Sequence, residues 1–196
     1  MQGTQNFAKT TAMSTEQCMA AMQLGYQSVE KAMAQKVSIY VAGEMGIGNT
    51  CSASALACLL LNESEEALTG VGTGIKQEQL IRKKQVIQQA ITLHQDWAGD
   101  DAFKILCAVG GLEIAAMVGA YIRCAQRGLA ILVDGFISTA AALIAVRLNA
   151  DVRQWMLFGH QSVEYGHARL LKELNAKPLL QLNLRLGEGS GAGAAL

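Results

Sequence analysis

Charged side chains are scarce in this sequence, at 16% of 196 residues against about 25% in an ordinary soluble domain, while apolar residues make up 51%. So few charges cover a free-standing globule poorly, and part of the apolar surface is expected to face a partner chain or a further segment. Net charge is lacking too: sixteen Lys and Arg balance sixteen Asp and Glu. That leaves no global field to draw a phosphate backbone or an anionic membrane, and the one basic cluster, Arg82-Lys83-Lys84, is short. Neither nucleic acid nor a membrane is expected as a partner. No continuous apolar run is long enough to span a bilayer, because the charge-free stretch from Met45 to Asn62 is interrupted by Gly46, Gly48, Asn49, Thr50, Ser52 and Ser54. The first residues, Met1 to Phe7, have neither a basic nor an apolar leader region, so secretion is unsupported. Cys-x-x-Cys pairs are missing among the five cysteines, Cys18, Cys51, Cys58, Cys107 and Cys124. An odd, unpaired set argues against a disulfide framework or structural zinc. The expectation is a reduced, cytoplasmic protein whose cysteines pack as small hydrophobes.

What remains has a clear order. The length suits one domain burying roughly 70% of its unfolded surface. Cys18, Met22, Val29 and Met33 recur at helical spacing behind a Ser14-Thr15-Glu16-Gln17 capping box, predicting a helix from Ser14 to about Ala34. Val37 to Ala42 is a short β-branched and aromatic run, followed by the Gly43 to Gly48 loop and an Ala/Leu/Ser-rich helix from Asn49 to Leu61. The same strand, turn and helix recur as Leu129 to Val133, Asp134-Gly135, and Ile137 to Leu148. Two such units predict a parallel sheet with crossover helices. Further helices are expected at Glu78 to His94, Ala102 to Ala108, Leu112 to Gln126 and Ser162 to Leu174, with a short strand at Trp155 to Phe158. Proline occurs once, at Pro178, where a final segment opens. The fold class is α/β, a three-layer α/β/α arrangement of Rossmann-like type. An N-terminal helical segment, residues 1–35, is expected ahead of an α/β domain, residues 36–196.

Chemistry concentrates in the glycine loops. Gly43-Glu44-Met45-Gly46-Ile47-Gly48-Asn49-Thr50 joins a buried strand to a helix, where backbone N–H groups suit an anion such as phosphate. It is not a P-loop, because Asn49 stands where the lysine belongs, nor a dinucleotide fingerprint, because Cys51 takes the third glycine position. A tight turn without a ligand is the plain alternative. Glu44 favours a site, since a carboxylate just after a parallel strand lies at the edge where such sheets bind ligands. Val71-Gly72-Thr73-Gly74, ahead of a helix bearing Arg82, Lys83 and Lys84, either presents Thr73 and one of those cations to the same phosphate or is a turn followed by a solvated basic face. Glu188, between Gly187 and Gly189, is either a general base open to a ligand or part of a loose tail. The histidines His94, His160 and His167 form no recognised motif, and His94 is expected near a helix end, where positive charge is favourable. No metal site is assigned.

With these segments in hand, Gly43 to Thr50 closely resembles the signature loop of the nicotinate-nucleotide–dimethylbenzimidazole phosphoribosyltransferase family. Gly110 to Ala116, Val133 to Ile137, Ser162-x-Glu164-x-Gly166-His167 and Leu184 to Gly191 follow in the family's order and spacing. Tyr165 stands where the family usually has proline. The resemblance begins roughly where the family's C-terminal part begins, so the N-terminal part of the family's fold is missing. It implies transfer of phosphoribosyl from nicotinate mononucleotide to 5,6-dimethylbenzimidazole, giving α-ribazole 5′-phosphate and nicotinate with inversion at the anomeric carbon. It further implies Glu188 as general base and Glu44 as a second active-site carboxylate. Gly46, Ile47 and Gly48 are implied to hold the nucleotide, Thr73 and Lys83 its phosphate, and Arg185, Leu186 and Gly187 to line the pocket. No cofactor, metal or redox group is implied, and the family is homodimeric. The alternative is a truncated, non-catalytic nucleotide- or α-riboside-binding protein.

Overall fold

The computed structural model describes residues 3–72, 74–184 and 187–196. Helix α1, Thr15–Ala34, opens with the expected capping box: the Gln17 amide donates to Ser14 Oγ, and the Gln17 side chain accepts from the Ser14 amide. Strand β1, Ile39–Ala42, leads into α2, Asn49–Leu61, which is buried along most of its length from Ser52 to Cys58. A long crossover follows, through α3 (Glu65–Leu68), α4 (Gln77–Ala98), α5 (Ala102–Val109) and α6 (Leu112–Arg127), before β2, Ala130–Val133. Helix α7, Phe136–Leu148, then runs through the core with every residue from Phe136 to Ala145 buried. A 3-10 turn at Ala150–Trp155 delivers β3, Met156–Phe158.

The three strands pair in parallel in the order β1-β2-β3, with Ile39 opposite Ala130 and Ile131 opposite Met156. The α/β class, the parallel sheet and its crossover helices therefore stand as expected. The C-terminal third differs in detail. A second parallel pair, β4 (His160–Ser162) and β5 (Leu180–Leu184), adjoins the main sheet through the Gly159 amide on Val133 O at 2.8 Å. The helix expected from Ser162 instead begins at Tyr165, as α8, Tyr165–Glu173. Ser162 is held in the strand because its amide and hydroxyl both engage His167 Nδ1 at 2.9 Å, which keeps the chain extended through Glu164. The glycine-rich end closes as a single turn, α9, Ser190–Gly193.

Four of the cysteines are buried and Cys51 is half-buried, and all five are free. Burial pushes the Cys58 and Cys124 thiols up to about 12, so these two behave as small apolar side chains. His94 is buried one turn from the end of α4, with Nε2 2.7 Å from Phe7 O, and ties the N-terminal segment down. Apolar side chains do remain uncovered near β3 and β5: Leu157, Leu179 and Leu182 are at least half exposed. No helix among the described residues is long and apolar enough to cross a membrane.

Helix α1 lies against α6 through Cys18, Ala21, Gly25 and Val29, one face of the helix. The approach is close enough that a Cβ on Gly25 would stand 1.7 Å from Ala116 O, and one on Gly119 would stand 2.0 Å from Met22 O. Arg123 then reaches Glu30 and lies over the Tyr26 ring at 4.0 Å. Gly25→Ala gains about 1 kcal/mol of helix propensity but drives a methyl into backbone on the facing helix. The expected outcome is net destabilisation of at least roughly 1–3 kcal/mol, read as a lower urea midpoint; an unchanged midpoint would contradict this crossing.

Candidate functional site

The site forms where β1 and β2 end, the edge at which open parallel sheets bind ligands. After β1 the chain turns at Gly43, whose missing side chain admits the backbone of Gly189: a Cβ there would stand 1.8 Å from Gly189 N. The Glu188 amide donates to Glu44 O at 3.0 Å. The two carboxylate-bearing loops, far apart in sequence, are thus joined backbone to backbone. Glu188 has φ +57° and Gly189 φ +79°, so a non-glycine residue occupies the left-handed region in this turn.

Asp134, at the end of β2, secures the same turn. Its Oδ1 accepts the Ala192 amide at 2.8 Å and its Oδ2 accepts the Gly189 amide at 3.2 Å. His160 Nε2 lies 3.4 Å from Oδ1, packed under Gly191. Burial would raise the Asp134 carboxyl, but His160 and the two amides outweigh it and hold the group below its ordinary value. Behind it, His167 is fully buried. Its Nδ1 accepts from the Ser162 amide, so its Nε2 carries the proton and donates to Thr139 Oγ1 at 3.0 Å, while that hydroxyl donates to Gly135 O at 2.8 Å.

Between these elements lies a cavity of about 460 Å³, within the range of small-molecule sites. Glu44, Gly46, Thr50, Asp134, Glu164 and Gly187 are among its walls. A second cavity of about 400 Å³ adjoins it across Glu44 and is lined by Ile47, Gly48, Asn49 and Glu113. Burial, with the neighbouring Glu44 charge adding, raises the Glu113 carboxyl. Of the residues expected from sequence, Glu44, Gly46 and Gly187 line the first cavity, while Ile47 and Gly48 face the second. Lys83 is placed behind Thr50: its Nζ donates to Thr50 Oγ1 and to Gly70 O, both at 3.0 Å. Burial lowers its pKa, against the opposing pull of Glu164. Glu188 is exposed beside Gly187. Thr73, Arg185 and Leu186 lie outside the described residues.

Asp134 and Glu164 were not singled out as site residues by sequence. The rule that selected Glu44, a carboxylate directly after a parallel strand, applies equally to Asp134. Glu164 had no such local signal, because its place in the cavity depends on the β4–β5 pair. Among the described residues, no group of three or more His, Cys, Asp and Glu side chains converges on a metal position.

The buried imidazole has a measurable consequence. Burial, with His160 adding, pushes His167 from 6.5 down to about 3. The unfolded chain therefore takes up this proton first. Stability contributed by neutral His167 is complete above about pH 6.5 and is lost as pH falls toward 3, at roughly 1.4 kcal/mol per pH unit. Thermal unfolding is expected to show a melting temperature that declines over this window, with a flatter decline in His167→Gln. Equal slopes for the two proteins would exclude His167 as the titrating group.

The chain is similar to known proteins over nearly all of its length. A protein of Pseudomonas syringae pv. syringae (strain B728a), named nicotinate-nucleotide–dimethylbenzimidazole phosphoribosyltransferase, is 54% identical over 194 residues, covering 99% of this chain and 55% of its own length. A protein of the same name from Xanthomonas axonopodis pv. citri (strain 306) is 51% identical over 191 residues, covering 97% of this chain and 54% of its own length. The crystal structure of CobT from Thermus thermophilus superposes with a TM-score of 0.92 at 39% identity, covering 98% of this chain and 57% of that one. The chain thus spans about half the length of the curated relatives it matches. A family model described as Phosphoribosyltransferase matches residues 1–196. By that match the chain belongs to the phosphoribosyltransferase family.

Proposed function

We propose that this chain carries the nucleotide site and the general base of a phosphoribosyltransferase that moves the phosphoribosyl group of nicotinate mononucleotide to 5,6-dimethylbenzimidazole. The observation that carries the reading is the junction of the Glu44 and Glu188 loops, amide to carbonyl at 3.0 Å, at the carboxyl ends of β1 and β2. A benzimidazole ring nitrogen attacks the anomeric carbon as the bond to nicotinate breaks, and the bonding pair returns to the pyridine nitrogen. The other benzimidazole nitrogen sheds its proton to Glu188. A carboxylate suits this task because the proton becomes more acidic as attack proceeds. Glu44, on the wall shared by both cavities, orients the ribose against the incoming base. Catalysis then rests on positioning and charge placement.

In this reading Gly46, Ile47, Gly48, Thr73 and Lys83 hold the phosphate, and Arg185, Leu186 and Gly187 line the pocket beside the base. Residues 1–35 buttress the catalytic unit formed by residues 36–196, as the α1–α6 crossing supports. A homodimer in the cytoplasm goes with it. The half-exposed Leu157, Leu179 and Leu182 supply apolar surface for a further chain or segment.

Calorimetric titration is expected to show nicotinate mononucleotide binding that Lys83→Ala weakens by about ten-fold or more, the scale of a hydrogen bond to a charged group. Nicotinate riboside, which has no phosphate, should be little affected; equal weakening of both ligands would remove Lys83 from the phosphate site. Glu188→Gln is expected to lower formation of α-ribazole 5′-phosphate by ~10²–10⁴-fold with nucleotide binding intact. Full turnover in that variant would overturn the assignment of the base. Nucleotide binding by the unsubstituted chain without any turnover would favour the non-catalytic binding protein.

A further inference from the structure

The polar groups around the first cavity divide into two kinds. Ser138 Oγ donates to Ala42 O at 2.9 Å, Ser162 Oγ engages His167 Nδ1 at 2.9 Å, and both oxygens of Asp134 accept backbone amides. These are committed to the fold. Glu44 and Glu164 are not: neither carboxylate receives a hydrogen bond from the described residues, and Oε2 of each is enclosed without a partner. Neither carboxylate is used by the fold, and both residues line the cavity, so each side chain is available to donors from a ligand. Under the proposed function, the ionised phosphate, the carboxylate and the pyridinium nitrogen of nicotinate mononucleotide offer no donor. Its only hydrogen-bond donors at neutral pH are the 2′- and 3′-hydroxyls.

Glu164 is also placed in advance. Its carbonyl accepts the His167 amide at 3.0 Å, and its backbone is extended at the head of α8. Its Oε2 rests against Gly70, where a Cβ would stand 2.5 Å away, and Gly70 O accepts Lys83 Nζ at 3.0 Å. Glu164 and Lys83 therefore meet at one glycine. The lysine reaches toward Thr50 and the glycine loop, and the carboxylate forms part of the cavity wall.

We infer that Glu164 accepts a hydrogen bond from one hydroxyl of the ribose diol and is, beside Glu44, a residue by which this site selects ribosyl over deoxyribosyl nucleotides. The inference rests on the proposed function and goes beyond it by assigning a selectivity that the reaction itself does not require.

The test is a titration of the 196-residue chain, unsubstituted and as Glu164→Ala, with nicotinate mononucleotide and with its 2′,3′-dideoxy analogue. The unsubstituted chain is expected to prefer the ribonucleotide by roughly 10–100-fold. In Glu164→Ala that ratio should fall several-fold, whereas any change acting through Lys83 and the phosphate moves both ligands together and leaves the ratio alone. Glu164→Gln, which keeps one acceptor and the side chain's shape, should restore part of the ratio, and it serves as the readout if the alanine variant does not fold. A ratio that persists in Glu164→Ala, or an unsubstituted chain that binds both ligands equally, overturns the inference while leaving nucleotide binding intact. Failure of the unsubstituted chain to bind either ligand overturns the proposed function and this inference with it.

Discussion

The whole site depends on how Asp134 spends its carboxylate. At the end of β2 it accepts the amides of Gly189 and Ala192, with His160 beside it, and this draws the last ten residues back over the mouth of the sheet. Without that clamp the glycine-rich Glu188 turn would be held to the sheet edge chiefly by its one amide on Glu44 O. With it, Glu188 is held in a left-handed conformation one amide away from Glu44. A buried, amide-bonded carboxylate is a strong local tie because charge-assisted hydrogen bonds to N–H groups are among the stronger ones in proteins.

The carboxylates at this edge show how environment divides labour among chemically similar groups. Asp134 is buried and fully used by the fold. Glu44 and Glu164 are enclosed on one oxygen and unused by it. Glu188 is exposed on a tethered turn. The first is structural; in the proposed reading the middle two meet a ligand's donors and the last takes the proton of an incoming base. The same logic separates the histidines: His94 anchors the N-terminal segment through Phe7 O, while His167, kept neutral by burial, organises the approach to Glu164.

Close backbone approach is the second recurring device. Gly25 and Gly119 let α1 and α6 nest, and Gly43 lets the loop after β1 touch the Glu188 turn. In both places the absent side chain matters more than any side chain present, since contact at this distance tolerates no Cβ. The nested helices brace the crossover between β1 and β2, whose parallel pairing sets the spacing of Glu44 and Asp134.

The sequence by itself determined the local grammar. Ser14 and Gln17 write a capping box, and Val37 to Ala42 and Leu129 to Val133 read as buried strands. The glycine loop after the first strand marks a binding edge, because strand termini, caps and turns are set by neighbours a few residues away. It also marked Glu44 and Glu188 through the resemblance of their loops. Tertiary structure alone decided what those residues do together. The Gly43–Gly189 contact, the Asp134 clamp and the seating of Glu164 against Gly70 each join segments at least 55 residues apart, as Gly189 and Asp134 are. The strand from His160 to Ser162 was likewise hidden, since its three residues extend only because β5 pairs with them and His167 takes the Ser162 amide. Such contacts depend on where the sheet ends in space, and no local pattern encodes that.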